Sequence, residues 1–214
     1  PLRRQRQMCI RDRAKKIGAV NTVTNENGKL LGSNTDGYGA LKAVETEESM
    51  DDKSVAILGV GGAARGIAFT IAYERKPTRL TLVGRDLQKA KRLTLDIAPH
   101  TNVMIAAASF EELKDVFAHS DIIINTTPIG MHPNIDECIV PEEYLSQRHL
   151  IFDTIYNPAK TLLLKRAENR FARTMNGVPM FVYQGAEQFH MWTGKVPPIK
   201  VMREAVEKAL GYQS

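Results

Sequence analysis

Cysteine is scarce in this sequence: Cys9 and Cys138 are the only two among 214 residues. Two cysteines cannot form the disulfide framework of a small secreted protein, so we expect a cytoplasmic, reducing location. The five histidines show no metal-ligand spacing, so no metal site is predicted. Neither a G-x-S-x-G elbow nor a Walker lysine motif occurs, which argues against the hydrolases and nucleoside triphosphatases that depend on them.

The sequence also lacks a long uninterrupted hydrophobic run. Its most apolar window, residues 55–73, contains Arg65 and four glycines. A buried strand, a glycine turn and a buried helix explain this window better than a membrane span, so we predict no membrane partner. No apolar signal-peptide segment follows the basic start of the chain. With 43% hydrophobic and 25% charged residues, the composition is that of a globular chain large enough to bury its own core.

The net charge of +5 is concentrated at one end of the chain. Residues 1–13 carry five arginines and one aspartate, which leaves 24 basic and 23 acidic residues in the remainder. This basic head could bind nucleic acid, but it has no aromatic residues of the kind that stack on bases. We therefore predict a terminal segment foreign to the fold, non-native in origin, and no nucleic-acid partner.

Apolar periodicity predicts a hairpin followed by alternating strands and helices. Short strands at 18–24 and 29–32 flank an Asn-Gly turn signal, and a helix near 37–47 follows. Further strands are predicted at 54–58, 79–83, 103–106, 121–125, 150–153 and 172–175. Further helices are predicted at 62–74, 87–97, 109–119, 160–170, 179–193 and 198–210. Such alternation is typical of an α/β fold with a doubly wound, Rossmann-type parallel sheet.

A glycine-rich motif, GVGGAA at residues 59–64, joins a predicted strand to a predicted helix. In this G-x-G-x-x-A variant, Gly59 would permit the tight turn and Gly61 would let backbone N–H groups approach a pyrophosphate. The helix that follows would offer its N-terminus to the same anion. A tight turn that binds nothing is the alternative, but the surrounding strand–helix alternation favours dinucleotide binding.

The end of the second Rossmann strand bears on the choice of dinucleotide. Arg85 and Lys89 are placed to bind the 2′-phosphate of NADP. Asp86 would either accept from the ribose of NAD or cap the following helix. We therefore predict NADP and leave NAD open.

Two other segments are ambiguous from the residues alone. Asn125, Thr126 and Thr127 end a predicted strand at the sheet edge where a nicotinamide would lie. Asp36, in the segment NTDG, is best explained as the N-cap of the following helix.

Taken together, six segments resemble the shikimate dehydrogenase family, including its quinate/shikimate members. They follow the family's order and cover residues 17–22 (IGAVNT), 34–37 (NTDG), 59–65 (GVGGAAR), 125–131 (NTTPIGM), 153–158 (DTIYNP) and 184–189 (QGAEQF). The resemblance extends over about residues 14–212.

This resemblance implies reversible reduction of 3-dehydroshikimate to shikimate with NADPH, a step of aromatic amino-acid and chorismate biosynthesis. Asp36 matches the aspartate that tunes a catalytic lysine, Asn21 and Gln184 match residues that bond substrate hydroxyls, and Tyr156 lines the same cleft. The positions that match the family's cofactor site are Gly59, Gly61, Gly62 and Ala63 at the pyrophosphate, Arg85 at the 2′-phosphate, and Thr126, Thr154 and Gly177 along the nicotinamide half.

The sequence departs from the family pattern in two places. The family has Asn-Arg-Thr where this chain has Gly84-Arg85-Asp86, which weakens the NADP preference. The family's Ser-x-Ser clamp and its Asn-Val-Thr-x-Pro-x-Lys motif, which carries the catalytic lysine, are not found in the 214 residues. We therefore expect this polypeptide to bind NADP(H) but to turn over shikimate poorly.

The expected organisation follows from these matches. It comprises a basic head (1–13), a remnant of the substrate domain (14–35), a linking helix and loop (36–53), an NADP-binding Rossmann domain (54–178) and C-terminal helices closing on the substrate cleft (179–214). We expect a monomer or a homodimer. Three alternatives remain: a quinate/shikimate dehydrogenase, the C-terminal part of a fused dehydroquinate dehydratase–shikimate dehydrogenase, and a non-catalytic dinucleotide-binding module.

Overall fold

The structure is a computed structural model that describes residues 8–10 and 12–212. Four arginines of the basic head, Arg3, Arg4, Arg6 and Arg11, lie outside the described residues, so our interpretation of that head stays a prediction. Within the described part of the chain, no helix is both long and apolar enough to cross a membrane.

A small three-stranded sheet comes first. Its strands are β1 (Met8–Ile10), β2 (Thr22–Glu26) and β3 (Lys29–Ser33), and helix α1 (Asp12–Ile17) connects the first two. β2 and β3 form the predicted antiparallel hairpin, with positive φ at both Asn27 (52°) and Gly28 (85°), as a type I′ turn requires. β1 pairs in parallel with β3 and was not predicted, because three residues give no readable periodicity.

The main sheet has six strands, all parallel. They are β4 (Ser54–Leu58), β5 (Arg79–Gly84), β6 (Met104–Ser109), β7 (Ile122–Asn125), β8 (Leu150–Asp153) and β9 (Arg173–Met175). Their order across the sheet is β6-β5-β4-β7-β8-β9, with parallel pairing throughout. This is the doubly wound Rossmann order, so the predicted fold class is confirmed.

Seven more helices complete the described fold. They are α2 (Asp36–Glu45), α3 (Gly62–Glu74), α4 (Leu87–Ile97), α5 (Leu113–Ala118), α6 (Leu162–Asn169), α7 (Val178–Thr193) and α8 (Ile199–Ala209). α5 is shorter than predicted because a 3-10 turn, Phe110–Glu112, precedes it, fixed by a capping box between Ser109 and Glu112. α6 begins later than predicted because the Thr161 hydroxyl caps it.

Both faces of the main sheet are buried, which explains why its strands read as continuous apolar runs. Val55 and Ile57 of β4 pack into a core with α2, α3 and α4, whereas Ala56 and Leu58 pack into a second core with α5 and α6. The alternation within a single strand thus feeds two cores. The polar ends of the strands are left free to form a site at the carboxyl edge.

Candidate active site

The glycine turn lies at the switch point of the sheet, where β4 ends between β5 and β7. Gly59 has φ +112°, and a Cβ atom there would lie 2.4 Å from Thr126 Oγ1. Thr126 in turn donates its hydroxyl to the Leu58 carbonyl at 2.7 Å. A Cβ at Gly61 or Gly62 would meet no heavy atom within 4 Å. The turn is therefore tight on its sheet side and open on its outer side, at the N-terminus of α3.

A cavity of about 320 Å³ adjoins this turn. Arg85, Lys89 and Thr126 line it, together with Gly59 and Gly61. The prediction missed three other lining residues, Phe110, Pro128 and Ile129. A signal for Phe110 was available, because it directly follows β6 at the same carboxyl edge.

Asp86 caps helix α4, as one of its two predicted roles required. Its Oδ1 accepts from the backbone N–H groups of Gln88 (2.9 Å) and Lys89 (3.1 Å). The carboxylate therefore occupies the end of α4 that would otherwise favour a phosphate. The side chains of Arg85 and Lys89 are left as the cations that line this cavity.

A second cavity, of about 370 Å³, continues from Thr126 along the ends of β7 and β8. Thr127, Thr154 and Tyr156 line it. Asn125 does not: it is buried, donates its amide to Asp153 Oδ1 at 3.0 Å, and accepts from both the N–H and the hydroxyl of Thr127. Of the three residues predicted at the nicotinamide edge, Thr126 and Thr127 line this cavity, whereas the Asn125 side chain is engaged by Asp153 and Thr127.

Gly177 and Thr154 meet at the edge of this cavity. A Cβ atom at Gly177 would lie 2.0 Å from the Thr154 carbonyl oxygen, and the Gly177 N–H donates to the Ile155 carbonyl at 2.9 Å. The start of α7 is therefore pressed against the turn that follows β8, and only glycine fits there.

Asp153 is a buried carboxyl group below the same turn. Its pKa is raised from 3.8 to about 6, because burial removes it from water, and hydrogen bonds from Thr161, Ile155 and Asn125 oppose only part of that effect. In the described part of the chain, no three His, Cys, Asp or Glu side chains cluster as a metal site would need.

Asp36 is the first residue of α2, and the prediction that it is the N-cap is wrong. Thr35 occupies the cap position and its side chain makes no capping bond. The Asp36 carboxylate instead accepts from Asn21 Nδ2 at 2.7 Å. Partial burial raises the pKa of Asp36, and the bond from Asn21 lowers it. The cap prediction failed because the competing partner lies in another segment, before β2.

The orientation of the Asn21 amide is fixed by its other bonds. Its Oδ1 accepts from the hydroxyls of Thr22 (2.7 Å) and Thr35 (3.3 Å) and from the Thr35 N–H (3.0 Å). Gln188 Nε2 donates to these two hydroxyls at 3.1 and 3.4 Å. All these bonds run in one direction, so the Asn21 amide N–H₂ must face Asp36. Gln188 was missed because its partners, Thr22 at the start of β2 and Thr35 at the N-cap of α2, are far away in sequence.

Helix α2 packs between α3, which follows the glycine turn, and α7, which carries Gln184. A Cβ at Gly37 would lie 1.9 Å from Thr70 Oγ1 of α3, and a Cβ at Gly39 would lie 2.7 Å from the Met180 carbonyl of α7. Because Gln184 is also on α7 against Gly39, the residues predicted to bind substrate, Asn21, Asp36 and Gln184, belong to one packed unit. Tyr156 lines the second cavity, and its ring centroid lies 5.0 Å from that of Phe181, which belongs to α7 like Gln184.

These features define a class: a Rossmann-type α/β protein with a glycine turn at its switch point and a polar cluster beside it. The family description "Shikimate / quinate 5-dehydrogenase" matches residues 41–159, and "Shikimate 5'-dehydrogenase C-terminal domain" matches residues 177–207. The chain belongs to the shikimate dehydrogenase family, which confirms the resemblance inferred from the sequence.

Individual relatives agree with this assignment. The shikimate dehydrogenase (NADP⁺) of Methanocaldococcus jannaschii is 45% identical over 196 residues, which are 90% of this chain and 68% of that protein. A shikimate dehydrogenase solved in complex with NADP⁺ matches at TM-score 0.87 and 42% identity, over 94% of this chain and 70% of that one. The Listeria monocytogenes shikimate 5-dehydrogenase, solved with shikimate and NAD, matches at TM-score 0.86 and 31% identity, over 93% and 71%.

Proposed function

We propose that this chain binds NADP(H) along the two adjoining cavities. The residues suit a dinucleotide: Gly61 and Gly62 leave open space beside the α3 N-terminus for a pyrophosphate, and Arg85 and Lys89 supply positive charge for a 2′-phosphate. Bound NADPH would supply the hydride. The complexes of relatives with NADP⁺ and with NAD support this proposal and keep both cofactors open.

We further propose that the reaction is the reversible reduction of 3-dehydroshikimate to shikimate. The observation that carries this proposal is the Asn21–Asp36 hydrogen bond, held by α2 against both the helix of the glycine turn and the helix of Gln184. A cofactor-binding module without a substrate would have no use for such a polar unit. Asn21 keeps one amide hydrogen for a substrate hydroxyl, since its oxygen is fully engaged.

In this proposal the residues divide their roles by chemistry. Asp36, whose pKa is raised by burial, would hold its proton to a higher pH than an ordinary carboxyl group, and in the family's Lys–Asp pair it would orient and tune the lysine. Gln184 would bond a substrate hydroxyl, and Tyr156 would line the cleft. Thr126, Thr154 and Gly177 would shape the nicotinamide half of the cofactor site.

The 214-residue polypeptide itself is proposed to bind NADP(H) with little turnover, because it lacks the lysine motif that would complete the Lys–Asp pair. The test uses purified protein in two assays: binding of NADPH by its fluorescence, and formation of NADPH from shikimate and NADP⁺ by absorbance. We expect saturable binding and turnover far below about 1 s⁻¹, the low end of typical enzymes. Absence of binding would refute the cofactor proposal, and turnover at ordinary enzymatic rates would refute the impairment.

A quinate/shikimate dehydrogenase that uses NAD is the second candidate. Asp86 favours it, because a carboxylate beside Arg85 lowers the advantage of a 2′-phosphate. Comparing shikimate with quinate, and NADP⁺ with NAD, in the same assays separates the two candidates.

The low cysteine content supports a cytoplasmic protein.

A further inference from the structure

A buried hydrogen-bonded cluster lies directly beneath the second cavity, and the roles proposed above leave it unused. It is centred on Asp153, whose side chain has no solvent exposure. We propose that Asp153 is a positioning residue that holds the ends of β7 and β8 in the arrangement that receives the nicotinamide half of the cofactor. This inference rests on the proposed binding of NADP(H).

The Asp153 carboxylate accepts three hydrogen bonds from three different parts of the fold. Asn125 Nδ2 donates to Oδ1 at 3.0 Å, the Ile155 N–H donates to Oδ1 at 3.2 Å, and the Thr161 hydroxyl donates to Oδ2 at 2.7 Å. All three hydrogen bonds are buried, so no water competes for the donors. In such surroundings a donor left without its acceptor is destabilising, because neither water nor another group replaces the lost bond.

Two of the three donors form or contact walls of the cavity, and the third caps helix α6. Asn125 ends β7 and orients Thr127, which lines the cavity. Ile155 belongs to the turn that presents Thr154. Thr161 caps α6, since its hydroxyl oxygen accepts from the Leu164 N–H at 3.3 Å. A single carboxylate therefore joins two strand ends and one helix start.

The effect reaches the start of α7 as well. The Ile155 carbonyl accepts from the Gly177 N–H at 2.9 Å, so the turn that Asp153 fixes is also the turn against which Gly177 is pressed. Asp153 itself does not line the cavity, so it would act through Thr127, Thr154 and Gly177. It is a positioning residue by geometry.

Ligand affinities distinguish a carboxylate that only stabilises the fold from one that positions the cavity walls. Loss of general stability would weaken every ligand alike, whereas loss of positioning would weaken only ligands that reach the second cavity. Two probes separate these cases: NADPH, which spans both cavities, and 2′,5′-ADP, which has only the adenosine half and would bind near Arg85 and Lys89.

The experiment measures the Kd of both probes for the full 214-residue chain and three variants. Asp153→Ala removes all three acceptor bonds. Thr161→Val keeps the shape of the side chain but removes the bond to Oδ2 together with the α6 cap on the Leu164 N–H. Asp121→Asn is the matched control: its carboxylate accepts from the Ser54 N–H at 2.9 Å, at the opposite edge of the same sheet. Far-ultraviolet circular dichroism checks that each variant is folded.

We expect the Kd of NADPH to rise about tenfold in Asp153→Ala, which leaves all three donors without their acceptor, and about threefold in Thr161→Val, which leaves the Asn125 and Ile155 bonds in place. The Kd of 2′,5′-ADP should change less than about twofold in both, and the control should leave both probes unchanged. If Asp153→Ala does not fold, Thr161→Val carries the test by the same criterion.

Three outcomes would overturn the inference. Equal weakening of NADPH and 2′,5′-ADP would show a general structural role. Unchanged NADPH binding in variants that bind 2′,5′-ADP normally would show that the cluster does not shape the cavity. Failure of the unmodified chain to bind either probe would refute the proposed function first, and the inference with it.

Discussion

The raised pKa of Asp153 makes its contribution to stability depend on pH, and the sign can be tested with Asp153→Asn. The folded carboxyl group holds its proton up to about pH 6, whereas the unfolded group releases it near 3.8. Between these values the folded state binds the extra proton, so stability falls as the pH rises through this window. At about 1.4 kcal/mol per pH unit, the loss from this one group approaches about 3 kcal/mol above pH 7.

The asparagine variant cannot titrate, so it isolates this effect. We expect the difference in unfolding free energy, the unmodified chain minus Asp153→Asn, to decrease by about 2.4 kcal/mol between pH 4 and pH 7. Urea unfolding at several pH values, followed by circular dichroism and by the fluorescence of Trp192, the only tryptophan, measures that difference. Groups that titrate alike in both proteins, such as Asp36, cancel.

Two results would refute this reasoning. A difference that stays constant within about 0.5 kcal/mol would mean that Asp153 titrates near its ordinary pKa in the folded protein. A difference that grows with pH would mean that the three hydrogen bonds outweigh burial and depress the pKa.

The remaining predictions concern the glycine turn, the α4 cap and the Asn21–Asp36 pair. Gly59→Ala should lower the unfolding free energy by at least about 1 kcal/mol, because the residue has a positive φ and the new Cβ would clash with Thr126 Oγ1. Gly61→Ala has no such clash, so this variant should fold normally but bind NADPH more weakly. Asp86→Thr should raise the ratio of the Kd of NAD to the Kd of NADP about threefold. The threonine can still cap α4, but the negative charge near the 2′-phosphate is removed. Asn21→Ala should raise the Asp36 pKa further, as carboxyl carbon chemical shifts in an NMR titration would show.

Each of these has an internal control. Equal stability losses at Gly59 and Gly61 would contradict the contrast between closed and open sides of the turn. Asp86→Asn also keeps a cap without a charge, so it should behave like the threonine variant, and a cofactor ratio that differs between the two would point to shape instead of charge. A fall in the Asp36 pKa without Asn21 would show that the amide does not stabilise the ionised carboxylate.

Much of the fold could be predicted because its strands are buried on both faces. β4 and β8 have the predicted bounds, since a continuous apolar run needs no partner to be recognised. The hairpin was predictable from Asn27-Gly28, because few other pairs accept positive φ at both positions. β1 was not, because a three-residue strand is defined by its pairing with β3 and not by its own pattern.

The site was less predictable because its polar side chains form hydrogen bonds with residues that are distant in sequence. An aspartate at the position of Asp36 is expected to cap the helix that follows. Its carboxylate instead bonds to Asn21, which lies 15 residues earlier in the chain. Asn125 ends β7 at the carboxyl edge of the sheet, yet its side chain bonds to Asp153 at the end of the neighbouring strand β8, 28 residues later. Sequence patterns give the position of such residues along an element, but the direction of a polar side chain depends on tertiary neighbours.

The α4 cap has one more consequence. Because the N-terminus of α4 already holds its own carboxylate, recognition of a 2′-phosphate would depend on two exposed cations, Arg85 and Lys89. Attraction between exposed charges is screened over about 10 Å at 0.1 M salt and about 3 Å at 1 M. In the proposed binding mode, added salt would therefore weaken NADP more than NAD, and the discrimination between the two cofactors would depend on ionic strength as well as on the protein.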